Sequence, residues 1–318
     1  MKTLTFSNGD KMHALGLGTW KSRPGEVGQA VEEAVRAGYR HIDCAPIYGN
    51  EAEIGEALRQ LFRDGVVQRE DLWITSKLWN NAHREQDVGP ALERSLRDLQ
   101  LDYLDLFLIH WPVVFRPGVQ TMPSGPEDFL SLDEIPTAET WLGMERAAQA
   151  GKSRHIGLSN FSRTKIERLL PHSSIRPAMN QVEMHPYLQQ TDLLDYCHDQ
   201  HIHLTAYSPL GSRDRIPQMK KEDEPNLMEV PQIVAIAQHH ECTPAQILLA
   251  WHLRRDCAVI PKSTNPQRIR ENLAAAQVRL SAAELRSIAE LDKHYRFVDG
   301  SFWAQQGSPY TLAGLWDE

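Results

Sequence analysis

Four cysteines in 318 residues are too few, and too scattered, to build a disulfide framework. Cys44, Cys197, Cys242 and Cys257 form no C-x-x-C pair, so neither a zinc knuckle nor a dithiol redox motif is expected. A reducing compartment, the cytoplasm, fits this usage. There is no basic run of the kind that nucleic-acid binders carry, and the net charge of −8 argues against such a partner. No apolar run is long enough to cross a bilayer. The longest, from Tyr103 to Phe115, is broken by Asp105, His110 and Pro112. The first ten residues turn polar too early for a secretory signal. A G-x-G-x-x-G phosphate loop is also missing, since Gly16-Leu17-Gly18-Thr19-Trp20-Lys21 has no third glycine.

Hydrophobic residues make up 41%, which is enough for a substantial core. A hairpin is expected at the start, with Thr3–Phe6 and Lys11–Ala14 flanking a tight Asn8-Gly9 turn. Eight short apolar runs follow as strand candidates: 15–18, 40–43, 72–77, 103–110, 155–158, 178–182, 203–207 and 258–261. Helical patterns lie between them. Glu26–Ala37 stops at Gly38, and Thr137–Ala150 at Gly151. Thr243-Pro244-Ala245-Gln246 and Ser281-Ala282-Ala283-Glu284 read as capping boxes, and Asn265-Pro266 opens another helix.

Eightfold strand–helix alternation predicts an α/β fold of the (β/α)8 TIM-barrel class. An open doubly wound sheet is the alternative, weakened by the missing glycine motif. The expected organisation is one domain over 1–318. It comprises a hairpin (1–14), long loops at 112–136 and 209–231, and a C-terminal tail (291–318) whose aromatics pack across the barrel.

Active sites on such barrels lie at the C-terminal strand ends. Reading only those positions brings Asp43 with Tyr48, Lys77 and His110 together from three consecutive strands. Singly, each reads as a turn, core or surface residue. Together they form a proton-transfer set. Carbonyl reduction needs a hydride on carbon and a proton on oxygen. A phenol can give that proton, and a nearby ammonium is expected to lower its pKa. Asp43 would anchor Lys77, and His110 would orient the carbonyl. Lys262 and Arg268, at a strand end and the helix after it, form a candidate phosphate site.

These residues sit in motifs that resemble those of the aldo-keto reductases. The first is Gly38-Tyr39-Arg40-His41-Ile42-Asp43-Cys44-Ala45 with Tyr48-Gly49-Asn50-Glu51 and Ile54-Gly55. Leu108–Pro112, Gly157–Phe161 and Ile260–Ser263 with Arg268, Glu271 and Asn272 follow in order. The resemblance implies an NADPH-dependent oxidoreductase that converts aldehydes and ketones to alcohols, with Tyr48 as proton donor. It further implies cofactor contacts from Gly18, Thr19, Trp20 and Asp43 at the first two strand ends. Ser159, Asn160 and Gln181 would meet the carboxamide, and Tyr207 would stack on the ring. Ser208, Pro209, Leu210, Ser212 and Asp214 would border the pyrophosphate. Lys262, Ser263, Thr264 and Arg268 would hold a 2′-phosphate, with Glu271 and Asn272 at the adenine. Trp20, Ile47, Tyr48, Trp79, His110, Trp111 and Phe115 are expected to line an aromatic substrate pocket, closed by Phe297, Val298, Phe302 and Trp303. Such walls suit aromatic and medium-chain aldehydes better than charged substrates.

No metal is expected. His198, His201 and His203 lack a completing ligand, and His239-His240-Glu241-Cys242 reads as an exposed helix end. A monomer is expected. The competing function is a cofactor-binding regulatory barrel of the same family. A different barrel enzyme, such as a phosphosugar isomerase, would show no NADPH affinity.

Overall fold

The computed structural model describes residues 1–318, apart from the side chain of Gln218. Two short strands, β1 (Thr3–Thr5) and β2 (Lys11–His13), pair antiparallel. The connection is wider than a two-residue turn. Gly9 takes a left-handed φ of 88°, but Asn8 does not. The Asn8 side chain instead accepts from the Asp10 N–H at 3.0 Å, an Asx turn that substitutes for the tight backbone geometry.

Eight parallel strands then build the sheet: β3 (Leu17–Gly18), β4 (His41–Asp43), β5 (Trp73–Leu78), β6 (Leu104–Ile109), β9 (Ser153–Ser159), β10 (Met179–Glu183), β11 (His203–Tyr207) and β12 (Ala258–Val259). The sheet closes on itself. Leu15 bridges Val259 and Gly18 bridges Lys262, both parallel. This is the (β/α)8 barrel that the alternation predicts. A Cβ on Gly18 would stand 2.7 Å from the Ile260 carbonyl oxygen, so the seam requires glycine there.

Helices cover the outside: α1 (Val27–Ala37), α2 (Glu51–Arg63), α3 (Glu85–Leu99), α4 (Thr137–Gln149), α5 (Arg163–Leu169), α6 (Thr191–Asp199), α7 (Pro231–His239), α8 (Pro244–Arg254), α9 (Pro266–Ala274) and α10 (Ala282–Ala289). Local chemistry sets their ends. Gly38 closes α1 at φ 115°. Thr243 with Gln246 and Ser281 with Glu284 form complete capping boxes. The Asn265 side chain accepts from the Arg268 N–H at 3.0 Å. None of the described helices is long and apolar enough to cross a membrane.

The two long connections are more ordered than loops need be. Residues 112–136 fold an antiparallel pair, β7 (Val114–Phe115) with β8 (Phe129–Leu130). In the second connection Arg215, only 3% exposed, ion-pairs with Glu224 and donates to the Phe297 carbonyl. That bond ties the loop to the tail. The tail itself crosses the barrel as expected. The Phe297 and Val298 N–H groups donate to the buried Glu183 carboxylate at 2.6 and 2.7 Å. Tyr310 accepts from the Val114 N–H at 2.8 Å and donates to the Leu130 carbonyl at 2.7 Å. A last short helix, α11 (Leu312–Trp316), seats Leu315 and Trp316 in the same aromatic cluster as Trp79, Trp111 and Trp303.

Candidate active site

Parallel register decides which residues meet at the barrel mouth. Gly18 pairs with Asp43, and Asp43 with Thr75. Lys77 lies two residues beyond Thr75 and therefore on the same inner face. Its ammonium donates to Asp43 Oδ1, to the Cys44 carbonyl at 2.9 Å and to the Tyr48 hydroxyl oxygen at 3.4 Å. Lys77 and Asp43 are 1% and 2% exposed, so the pair is shielded from water. The other Asp43 oxygen accepts from Gln181 Nε2 at 2.7 Å.

Tyr48 ends a single 3-10 turn, Pro46–Tyr48, that Gly49 terminates at φ 66°. Two residues outside the expected set fix this turn. Asn50 donates to the Thr19 carbonyl at 3.0 Å. Buried Glu51 accepts from Ser76 at 2.5 Å and from Ser95 at 2.9 Å. Across the mouth, the His110 ring meets the Tyr48 ring edge-on, with centroids 5.9 Å apart. Its Nδ1 is buried with no hydrogen-bond partner among the described residues.

The electrostatics differ from the expectation in one respect. Burial raises the Tyr48 hydroxyl to about 12, and the opposing pull of Lys77 only partly offsets it. The phenol is therefore not made more acidic than usual. The desolvation of a half-buried ring outweighs one ammonium that is itself neutralised by Asp43. Burial also works against the Lys77 charge, but Asp43 and Tyr48 outweigh it and hold its pKa at about 12. Burial, aided by Lys77, pushes His110 well below its ordinary value. At neutral pH the group thus comprises a protonated phenol, a charged amine and a neutral imidazole.

These residues open onto a cavity of about 570 Å³. All four of Gly18, Thr19, Trp20 and Asp43 line it, as do Ser159, Asn160, Gln181, Tyr207, Ser208, Pro209, Leu210, Ser212, Asp214, Lys262, Ser263, Thr264 and Arg268. Ile47, Tyr48, Trp79, His110, Trp111, Val298, Phe302 and Trp303 complete the expected wall. Lys77 stands behind Asp43 and Tyr48 and reaches the cavity only through them. Four other expected residues fall off the wall. Phe115 packs behind it, against Trp79 and Trp303 at centroid distances of 5.8 and 5.3 Å. Glu271 accepts from Gln267 along α9, and Asn272 is buried on that helix. Phe297 also stays in the core, where it anchors the tail rather than closing the pocket.

The wall is strongly polarised. Apart from Asp43, its charged side chains are Lys21, Arg213, Asp214, Lys262 and Arg268, four cations against one carboxylate. Asp214 ties two strand ends together, accepting from Lys21 at 2.5 Å and from Lys262 at 3.1 Å. Lys21 also donates to Ser212 at 2.5 Å. Lys21 and Arg213 escaped the sequence reading because neither stands in a recognisable spacing. The folded backbone carries a further mark of the site. Lys21, Asn160, Ser208 and Ser212 all take positive φ without being glycine, and all line the cavity. Strained backbone of this kind concentrates at functional sites. The remainder of the wall is aromatic and aliphatic, from Trp20, Ile47, Trp79, Trp111, Met122, Val298, Phe302 and Trp303.

A sequence profile of the aldo/keto reductase family matches residues 14–293. The chain belongs to the aldo/keto reductase family. Family members are oxidoreductases that act on small carbonyl compounds, generally with a nicotinamide cofactor. Among its relatives is an aldo/keto reductase of Synechocystis sp., 55% identical over all of this chain and 97% of the relative. Aldo-keto reductase family 1 member A1 of Mus musculus is 47% identical over 93% of this chain and 91% of its own length. The protein of the same name from Homo sapiens is 46% identical over 91% and 89%. Coverage on both sides is nearly complete, so the match embraces the barrel, the long connections and the mouth together. The four cations and Asp214 make chemical sense in an aldo/keto reductase. A dinucleotide carries several negative phosphate oxygens, and a cationic wall of this kind fits such an anion. The Arg268 guanidinium makes no ion pair among the described residues, so it is free to take a phosphate partner.

Proposed function

We propose that this aldo/keto reductase reduces uncharged aldehydes and ketones to alcohols with NADPH, and that Tyr48 donates the proton. The reading rests on one observation above the others. A protonated tyrosine hydroxyl, backed at 3.4 Å by a buried ammonium–carboxylate pair, faces the same cavity as a neutral imidazole.

Bound NADPH would supply the hydride. The residues of the chain do the rest. His110, neutral, donates a hydrogen bond to the carbonyl oxygen and turns the carbonyl carbon toward the cofactor. As negative charge builds on that oxygen, it becomes far more basic than a phenolate. Tyr48 can therefore protonate it without having an unusually low pKa of its own. Lys77 stabilises the phenolate that forms, and Asp43 keeps Lys77 in place and balances its charge. Asp43 also links this group to Gln181, so one hydrogen-bond chain joins the acid to the proposed carboxamide contacts of Ser159, Asn160 and Gln181.

Lys262 and Arg268, with Ser263 and Thr264, would hold the 2′-phosphate, which NADH lacks. Lys21, Ser212 and Asp214 would border the pyrophosphate. The substrate would lie against Trp20, Ile47, Trp79 and Trp111, with Val298, Phe302 and Trp303 contributed by the tail. Trp79, Trp111, Val298, Phe302 and Trp303 carry no charge, so a substrate carboxylate lying against them would be desolvated without a partner. The whole chain is proposed to act as one domain and as a monomer. Its unpaired cysteines suit a reducing cytoplasm.

The test is NADPH oxidation with a panel of benzaldehydes, alkanals and hexuronic acids. Turnover is expected with the first two classes, and at least tenfold lower kcat/KM with the acids. Tight NADPH binding without turnover on any carbonyl would replace this reading with a regulatory role.

A further inference from the structure

Away from the mouth, the C-terminal end of α7 packs against the start of α10. His239 is the last residue of α7, and His240 is its cap. Glu284 stands in the first turn of α10. His239 Nδ1 lies 3.1 Å from Glu284 Oε1, and His240 Nε2 lies 2.9 Å from the same oxygen. All three ligand-type atoms fall within 4.8 Å of one another. In sequence, the two histidines read as a bare helix end. The fold brings them a carboxylate from 45 residues further along the chain. None of the three lines the mouth cavity.

A carboxylate that accepts from two imidazoles is a common surface motif. Two features take this one further. The second Glu284 oxygen is already held by the Ser281 N–H at 2.7 Å, so the carboxylate is aimed independently of the histidines. Both imidazoles also come from adjacent residues at a capped helix end, whose backbone is fixed by bonds from the His240 and Glu241 N–H groups. Preset orientation of this kind is what ligand residues need.

We propose that His239, His240 and Glu284 form a binding site for a divalent transition metal, with zinc as the best match and water completing the shell. Two imidazoles and one carboxylate suit zinc, nickel or cobalt, whereas magnesium and calcium favour all-oxygen sets. Tetrahedral zinc with bonds of about 2.1 Å separates its ligand atoms by about 3.4 Å, so the two observed spacings need to open only slightly. The metal takes the position of the proton that each nitrogen directs at the oxygen. Each imidazole stays neutral, with its N–H on the other ring nitrogen. The effect is a clasp between α7 and α10 rather than a catalytic centre.

Zinc titration of the EDTA-treated full-length chain by calorimetry, with thermal melting in parallel, tests the site. The chain has fourteen histidines, so the variants carry the test. One micromolar-range site is expected in the parent, and zinc at about a hundred times its Kd should raise Tm by about 4 °C. H239A and E284Q should each weaken binding roughly tenfold or more. Both should fold, because His239 is exposed and glutamine preserves the capping box with Ser281. Undiminished zinc affinity and an undiminished Tm rise in both variants would overturn the proposal, as would a parent chain that binds no zinc.

Discussion

Changing Tyr48 to phenylalanine removes one oxygen and keeps the ring. The Lys77 ammonium loses only its long 3.4 Å contact and retains Asp43 and the Cys44 carbonyl. A contact at that distance is at the limit of a hydrogen bond, so folding stability should change by about 1 kcal/mol or less. The ring's contacts with Trp20 and His110 persist. Catalysis should respond very differently. A positioned general acid contributes about 10²–10⁴ in rate, or about 3–5 kcal/mol of barrier. The upper end is expected here, because no other donor is ready to replace the phenol. Lys77 does not reach the cavity wall, and His110 is held neutral by burial. The assay is steady-state NADPH oxidation with an aromatic aldehyde, alongside NADPH titration by tryptophan fluorescence and a thermal melt. The variant should lose roughly 10⁴-fold in kcat while cofactor affinity and Tm stay near the parent's. Lys77→Met provides the contrast. It strips the counter-charge from a carboxylate that is 2% exposed, which costs about 3–5 kcal/mol of stability, so Tm and turnover should fall together. A Tyr48→Phe enzyme within tenfold of the parent kcat would refute the proton-donor assignment.

Two further expectations follow from the same site. Replacing Lys262 and Arg268 together by methionine should weaken NADPH binding by at least tenfold in fluorescence titration and leave NADH nearly unchanged; an equal loss for both cofactors would remove the 2′-phosphate assignment. The pH profile of kcat/KM for reduction should be flat from about pH 6 to pH 10, because His110, held well below its usual value, stays neutral above the acid limit while Tyr48 and Lys77, both raised to about 12, keep their protons; an acid limb near the ordinary histidine value of about 6.5 would show that His110 titrates and is not held neutral.

Much of this protein follows from local chemistry. The strand–helix alternation announces the barrel, because each amphipathic element needs a partner layer and eight repeats close a ring. Capping residues such as Thr243 and Ser281 start helices by satisfying N–H groups within four residues, so they remain visible in one dimension. The meeting of Asp43, Tyr48, Lys77 and His110 at one mouth was also legible, since parallel strands carry their C-terminal ends to one face whatever their separation in sequence. Other features arise only where distant segments converge. Lys21 gains meaning from Asp214, 193 residues away, and His239 and His240 gain theirs from Glu284. Phe115 was expected on the wall, but Trp79 and the tail's Trp303 occupy the inner layer, and side-chain volume decides such a contest in three dimensions. The hydroxyl of Tyr48 makes the same point in electrostatic terms. Sequence supplies the ammonium that favours its ionised form, while burial, which only the folded chain sets, outweighs that ammonium and keeps the proton on the oxygen.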